Sequence, residues 1–149
     1  MKILVAVDGS TPSQEAIDEV AHRPWPQPST VRVVSAVRPY VPSAIELVPA
    51  VVTPADVTQQ QEEQAKRLTS QAADRIGKSG LSVETVVRRG DPRTVIVDEA
   101  NEWGANLIVM GSHGRTGLTR LLLGSVAQAV VGHAPCSVEV VRHTHTRFA

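Results

Sequence analysis

A chain of 149 residues is long enough for one domain, and a domain of this size buries roughly 68–70% of the surface its unfolded form exposes. With 42% hydrophobic and 20% charged residues it has too much to bury to be a disordered chain, and it should fold alone. Fifteen Lys and Arg balance fifteen Asp and Glu, so no general field draws it to nucleic acid or to an anionic membrane, and any anion must be bound locally.

Five short β-branched runs, at residues 2–7, 31–37, 81–88, 106–110 and 136–141, read as strands. Four of them are too apolar on both faces for a sheet with one wet side, which predicts helices on both faces. After the first strand, Thr11 with Pro12 and Gln14 suggests an N-cap, a first-turn proline and a capping-box partner, and Ala16, Ile17, Val20 and Ala21 form an apolar stripe. The next segment, residues 23–28, holds three prolines around Trp25 and reads as a loop, with Trp25 as a lid over a helix end. Residues 38–54, with four more prolines, read as a second loop.

Val57, Ala65, Leu68, Ala72 and Ile76 recur at helical steps through a polar segment closed by Gly77 and Gly80, the pattern of a long amphipathic second helix. Asp91-Pro92 opens a third helix and Gly104 stops it, while a fourth is expected from about 124 to 132. Strand and helix alternate throughout. The expected architecture is therefore α/β: one doubly wound, five-stranded parallel sheet with right-handed crossovers, forming a single domain over 1–149 with a loose tail at 143–149, and its strand order is taken to be 3-2-1-4-5. In that order the fifth strand lies at an edge, where Val138, Val140 and Val141 carry only Glu139 as charge and invite pairing with another strand.

The informative stretch is Met110-Gly111-Ser112-His113-Gly114-Arg115, followed by Gly124-Ser125-Val126 at the start of the fourth helix. Open α/β sheets bind ligands beyond the carboxyl ends of their strands, here in a crevice flanked by strands one and four. Glycines at 111 and 114 would let the backbone adopt positive φ and bring its N–H groups close to phosphate oxygens as a nest. The unpaired N–H groups and dipole of the fourth helix would favour the same anion, with the Ser125 hydroxyl as a further donor.

Other residues keep two readings. Asp8, at the end of the first strand, either contacts a ligand or caps the first helix. His113 is a general base or a polar contact, and Arg115 a phosphate partner or a solvated side chain. Gly77-Lys78-Ser79 imitates the end of a P-loop, but Ala72 stands where the motif's first glycine belongs and no strand precedes it. Neither a dinucleotide-binding glycine fingerprint nor a hydrolase nucleophile elbow is present. His143 and His145 would be metal ligands or part of a frayed tail.

The spacing Gly111-x2-Gly114-x9-Gly124-Ser125 resembles the ATP-binding branch of the universal stress proteins. The likeness extends to Ile3-Leu-Val-Ala-Val-Asp8-Gly-Ser10, to Gly90-Asp91-Pro92 and to Pro135-Cys-Ser-Val-Glu-Val-Val141. The resemblance implies a nucleotide site in which Asp8 approaches the adenosine part and Ala36 packs by the adenine. Residues 110–115 together with Gly124, Ser125 and Val126 would then hold ribose and phosphates. The family often has a larger aliphatic residue where Ala36 falls, which would loosen the adenine slot. Mg²⁺ suits such a site because it bridges phosphates through few protein ligands, although no residue commits to it. The resemblance also implies a homodimer through the fifth strand.

The function expected is an ATP-dependent stress-response or regulatory module with little or no hydrolysis and no nucleic-acid or membrane partner. The alternative is a slow ATPase or nucleotidyl-transfer enzyme on the same site. A single cysteine, Cys136, in an apolar run is expected to be a buried small side chain, and with the absence of a signal-peptide pattern it suggests a reducing, cytoplasmic setting.

Overall fold

A computed structural model describes residues 1–42, 53–114 and 122–142. Most of the proline-bearing loop 38–54, Arg115, His143, His145 and the tail 143–149 lie outside the described residues. The chain runs β1 (Lys2–Ala6), α1 (Thr11–His22), β2 (Thr30–Val37), α2 (Pro54–Gly77), β3 (Ser82–Arg89), α3 (Pro92–Trp103), β4 (Leu107–Gly111), α4 (Ser125–His133) and β5 (Ser137–Val141). All five strands pair in parallel in the order β3-β2-β1-β4-β5. Each expected strand is found to within one residue at either end.

Alternate side chains along each strand feed two cores, as the period of two requires. Ile3, Val5, Val7, Val31, Val33, Leu107 and Val109 pack against Ile17 and Val20 of α1 and Ala72 and Ile76 of α2. Leu4, Ala6, Val34, Ile108 and Met110 face the other way, against Val95, Ile96 and Ala100 of α3 and Ala127 and Val130 of α4. The sheet is therefore covered on both faces.

The α1 cap differs from the sequence reading by one residue. Ser10, not Thr11, is the N-cap: its hydroxyl accepts from the Ser13 N–H at 3.3 Å, and its own N–H and O–H donate to Asp8 Oδ1 at 2.9 and 2.6 Å. Both residues carry a hydroxyl, and the preceding carboxylate decides which one turns inward. In α2, Thr53 and Asp56 form a reciprocal capping box and Pro54 is the first helical residue rather than the end of a loop. Thr69 is buried beside Ala65, Ala72 and Ile76, whereas Leu68 is only half-covered.

Asp91 caps α3 with a 2.9 Å bond from the Arg93 N–H, and Gly104 ends it in the left-handed region at φ 73°. That conformation is one a side chain would strain, as the stop signal required. Trp25 closes the end of α1 with its indole N–H on the Val20 carbonyl at 2.8 Å. The Arg23 guanidinium stacks on the Trp25 ring and reaches Glu139 of β5 through two 2.7 Å bonds, tying the edge strand to α1. Cys136 is half-buried rather than fully covered, and burial pushes its thiol above the usual range.

Candidate functional site

Beyond the carboxyl ends of β1, β2 and β4 lies a cavity of about 530 Å³, within the range of small-molecule sites. Ten of the residues singled out in the sequence line it: Asp8, Ala36, Met110, Gly111, Ser112, His113, Gly114, Gly124, Ser125 and Val126. Arg115 is outside the described residues. The sheet order explains the meeting of segments 116 residues apart: β1 delivers Asp8 between β2, which ends in Ala36, and β4, which leads into the glycine loop.

The glycines are needed for room, not for left-handed turns. Among the described residues, positive φ occurs at Gly9, Gly80, Gly90 and Gly104, so the nest expected from positive φ at Gly111 and Gly114 does not form in that way. A Cβ on Gly111 would fall 2.7 Å from the backbone carbon of Pro12, where β4 abuts the first turn of α1. One on Gly114 would meet Asp8 Oδ2 at 3.0 Å, and one on Gly124 would meet the Ser112 carbonyl oxygen at 3.1 Å and His113 Cα at 3.3 Å. Each glycine permits a close approach of two chain segments, and together they draw the β4 loop, Asp8 and α4 around one space.

Main-chain bonds hold the loop in place. The Ser112 N–H donates to the Val141 carbonyl at 2.8 Å, extending β5, and the Gly124 N–H donates to the Ser112 carbonyl at 2.8 Å. Gly124 caps α4 without a side-chain hydrogen bond, so the first-turn amides of this helix receive nothing from their own cap. Ser112 is buried and its hydroxyl contacts His113 Nδ1 at 2.9 Å, which fixes the ring beside the loop. His113 Nε2 is buried with no hydrogen-bond partner among the described residues.

On the other side, Asp8 is placed from two directions. Its N–H donates to the buried Ser13 hydroxyl at 3.1 Å, while its Oδ1 takes the Ser10 N–H and O–H. Ser10 Oγ also lies 3.3 Å from the His113 carbonyl, linking the two loops. Asp8 thus supports the Ser10 cap of α1 and also lines the cavity.

Further lining residues escape a reading by spacing: Ala6, Val7, Ser13, Val34, Arg38, Pro92, Ile96 and Ala127. Most are small or apolar core types with no signature of their own. Arg38 had a signal, a charge immediately past an apolar strand, and Pro92 lies beside the Asp91 cap. Asp8 is the one carboxylate among the described lining residues, and no group of three His, Cys, Asp or Glu among the described residues could hold a metal.

The model of the universal stress protein family matches residues 1–142. The chain belongs to that family. Universal stress protein YxiE of Bacillus subtilis (strain 168) is 30% identical over 145 residues, covering 95% of this chain and 98% of that protein. Among solved structures, universal stress protein UspA from Lactobacillus plantarum aligns with a TM-score of 0.77 at 26% identity, covering 95% of this chain and 97% of the other. The universal stress protein from Archaeoglobus fulgidus in complex with dAMP aligns with a TM-score of 0.63 at 27% identity over 95% and 97% of the two chains. The parallel sheet in order 3-2-1-4-5 with helices on both faces is the family's fold.

Proposed function

We propose that this universal stress protein is an ATP-binding regulatory module, in which nucleotide occupancy of the site between β4 and α4 changes the surface offered to a partner. The single observation that carries the reading is the convergence of residues 110–114 and the first turn of α4 on one cavity that also holds Asp8 and Ala36. The dAMP complex of the Archaeoglobus fulgidus relative supports an adenine nucleotide as the ligand.

The residues suit such a ligand on physical grounds. The uncapped start of α4 offers amide donors and a positive dipole end to phosphate oxygens, and the space left by Gly114 and Gly124 is one a side chain would fill. Ser125 adds a hydroxyl, and Asp8 accepts from ribose hydroxyls. Ala36 and Val34 supply a flat apolar wall for the base. Arg115, next in the loop, is a further phosphate partner in this reading. Mg²⁺ would be held mainly through the phosphates, because Asp8 alone among the described lining residues offers a carboxylate.

Hydrolysis is slow or absent in this reading. Ser112 and His113 touch, but the serine is buried within the loop, where its hydroxyl orients the ring instead of facing a reacting group. A homodimer through β5 completes the proposal: β5 pairs with β4 on one side and, among the described residues, with no strand on the other, while Glu139, its single charge, is taken by Arg23. A cytoplasmic setting belongs to the same proposal, and among the described residues no helix is long and apolar enough to cross a membrane.

The test is calorimetric titration of ATP into protein purified under denaturing conditions and refolded, so that no ligand is carried along. Wild type should bind with one site per chain, and Gly114→Val and Gly124→Val should lose binding while keeping the wild-type circular dichroism spectrum. Absence of heat with wild-type protein, or unchanged affinity in both variants, contradicts the assignment. Phosphate release at many turnovers per minute would move the reading to an ATPase, and a sedimentation mass equal to the 15.9 kDa of one chain would remove the dimer.

A further inference from the structure

The two ends of the cavity offer different chemistry. At the β4 end are main-chain amides and the uncapped start of α4, which suit an anion. At the β2 end the walls are Val34, Ala36, Pro92 and Ile96, with Arg38 as the charged side chain among the described residues there. A ligand with an anionic tail at β4 must lay its uncharged ring at β2, across the end of β1 that lies between them. This orientation rests on the nucleotide reading above.

Arg38 is loosely held. Its side chain is 61% exposed and its ion pair, Nη2 to Asp91 Oδ1, is 3.7 Å long. Asp91 is already engaged by Arg93, whose Nε lies 3.0 Å from Oδ1, whose Nη2 lies 2.6 Å from Oδ2, and whose N–H donates at 2.9 Å. The neighbouring cation, Arg88, stands opposite Ala36 in the β2–β3 register but is bound by Glu99 and Glu102 at 2.9 Å each. Arg38 is therefore the cation at this end that an occupant can recruit at small cost, since a long, exposed ion pair contributes little.

A guanidinium only donates. Guanine presents two adjacent acceptors, N7 and O6, which match its fork, whereas adenine presents N7 beside a donating amino group. Among the described residues, the apolar walls Val34, Ala36, Pro92 and Ile96 bring no side-chain acceptor for that amino group, and Ala36 is the smallest of these side chains.

We propose that Arg38 reads the six-position of the bound base, extending the ligands of this site to guanine nucleotides, with GTP binding at least as tightly as ATP.

The experiment measures dissociation constants of ATP, GTP and ITP by calorimetry at one salt concentration, for wild type and Arg38→Ala. ITP keeps N7 and O6 but lacks the 2-amino group. In wild type, the ATP-to-GTP ratio of dissociation constants should be one or more, with ITP following GTP. In Arg38→Ala that ratio should fall at least fivefold, about the size of one bidentate base contact at an exposed position. A wild-type ratio below one, a fall smaller than fivefold, or ITP following ATP overturns the inference. If ATP binds but the ratio fails, the nucleotide site stands and the role of Arg38 is wrong. If no nucleotide binds to wild type, both readings fall together.

Discussion

The two faces of the sheet are built to different ends. Against α1 and α2 the interior is filled by Ile3, Val5, Ile17, Val20, Val31, Val33 and Ile76, nearly all without solvent exposure. Against α3 and α4 the same strands contribute Leu4, Val34 and Ile108, equally buried, but the small Ala6, Ala100, Ala105 and Ala127 are interspersed, with Ala36 half-buried at the rim. Small side chains cannot fill the space between sheet and helix, and the unfilled part of this face, at the strand ends, is the cavity. One face supplies stability through branched side chains packed to density. The other is packed by Leu4, Val34, Ile108 and Val130 over most of its area and gives up packing only at the strand ends, where the cavity lies.

The largest effect should come from opening the closed face. Ile76→Ala removes a fully buried side chain from α2 and should cost about 2–5 kcal/mol in urea denaturation, while ATP affinity of the folded protein stays at the wild-type value. If affinity fell in step with stability, the two faces would not be independent.

Gly111→Ala probes the place where the faces meet, because β4 there touches the first turn of α1. Its Cβ would lie 2.7 Å from Pro12, and the displacement should cost about 1–3 kcal/mol while also shifting the loop that follows. A stability equal to wild type would mean that the loop has freedom the close contact denies it.

Ala6→Val tests the open face from the other direction, adding two methyl groups at the cavity wall on a strand that favours a branched residue. Stability should change by less than about 1 kcal/mol, with ATP affinity reduced about tenfold in calorimetry. Unchanged affinity would show that the space by Ala6 is not occupied by ligand.

The smallest effect concerns the Asp91 cap at the cavity rim. The Arg93 side chain, then the Arg93 N–H, holds the Asp91 carboxyl well below the usual carboxylate range. A lowered folded pKa means that its contribution is present above the unfolded value of 3.8 and is lost as pH falls through the folded value. Wild type and Asp91→Asn should therefore differ slightly in melting temperature at pH 7, and the gap should close as pH falls below about 4. A gap independent of pH would assign the effect to cap geometry alone.

The open face also shows what a sequence can and cannot reveal. The phosphate end is legible because close backbone approach favours one residue type: a Cβ would clash outright at 111 and crowd its neighbours at 114 and 124, and the glycine spacing stands out even though the reason turns out to be contact distance instead of positive φ. The parallel sheet and its covering on both faces follow from alternation and from runs apolar on both sides. The far end is less legible. Val34 and Ile96 are ordinary core residues and Pro92 a half-buried first-turn proline, and all three reach the cavity through strand register and the docking of α3, relations that no local pattern encodes. The N-cap of α1 falls on Ser10 and not on the expected Thr11 because the deciding bond goes to Asp8, whose own N–H is held by Ser13 within α1.

Hydrogen exchange of backbone amides, with and without ATP, tests the central claim most directly. If one triphosphate bridges the β4 loop and the start of α4, ATP should slow exchange at residues 112–114 and 125–127 together, and Gly124→Val should abolish both protections. ATP-dependent protection confined to other segments, or to one of these stretches alone, would contradict the account.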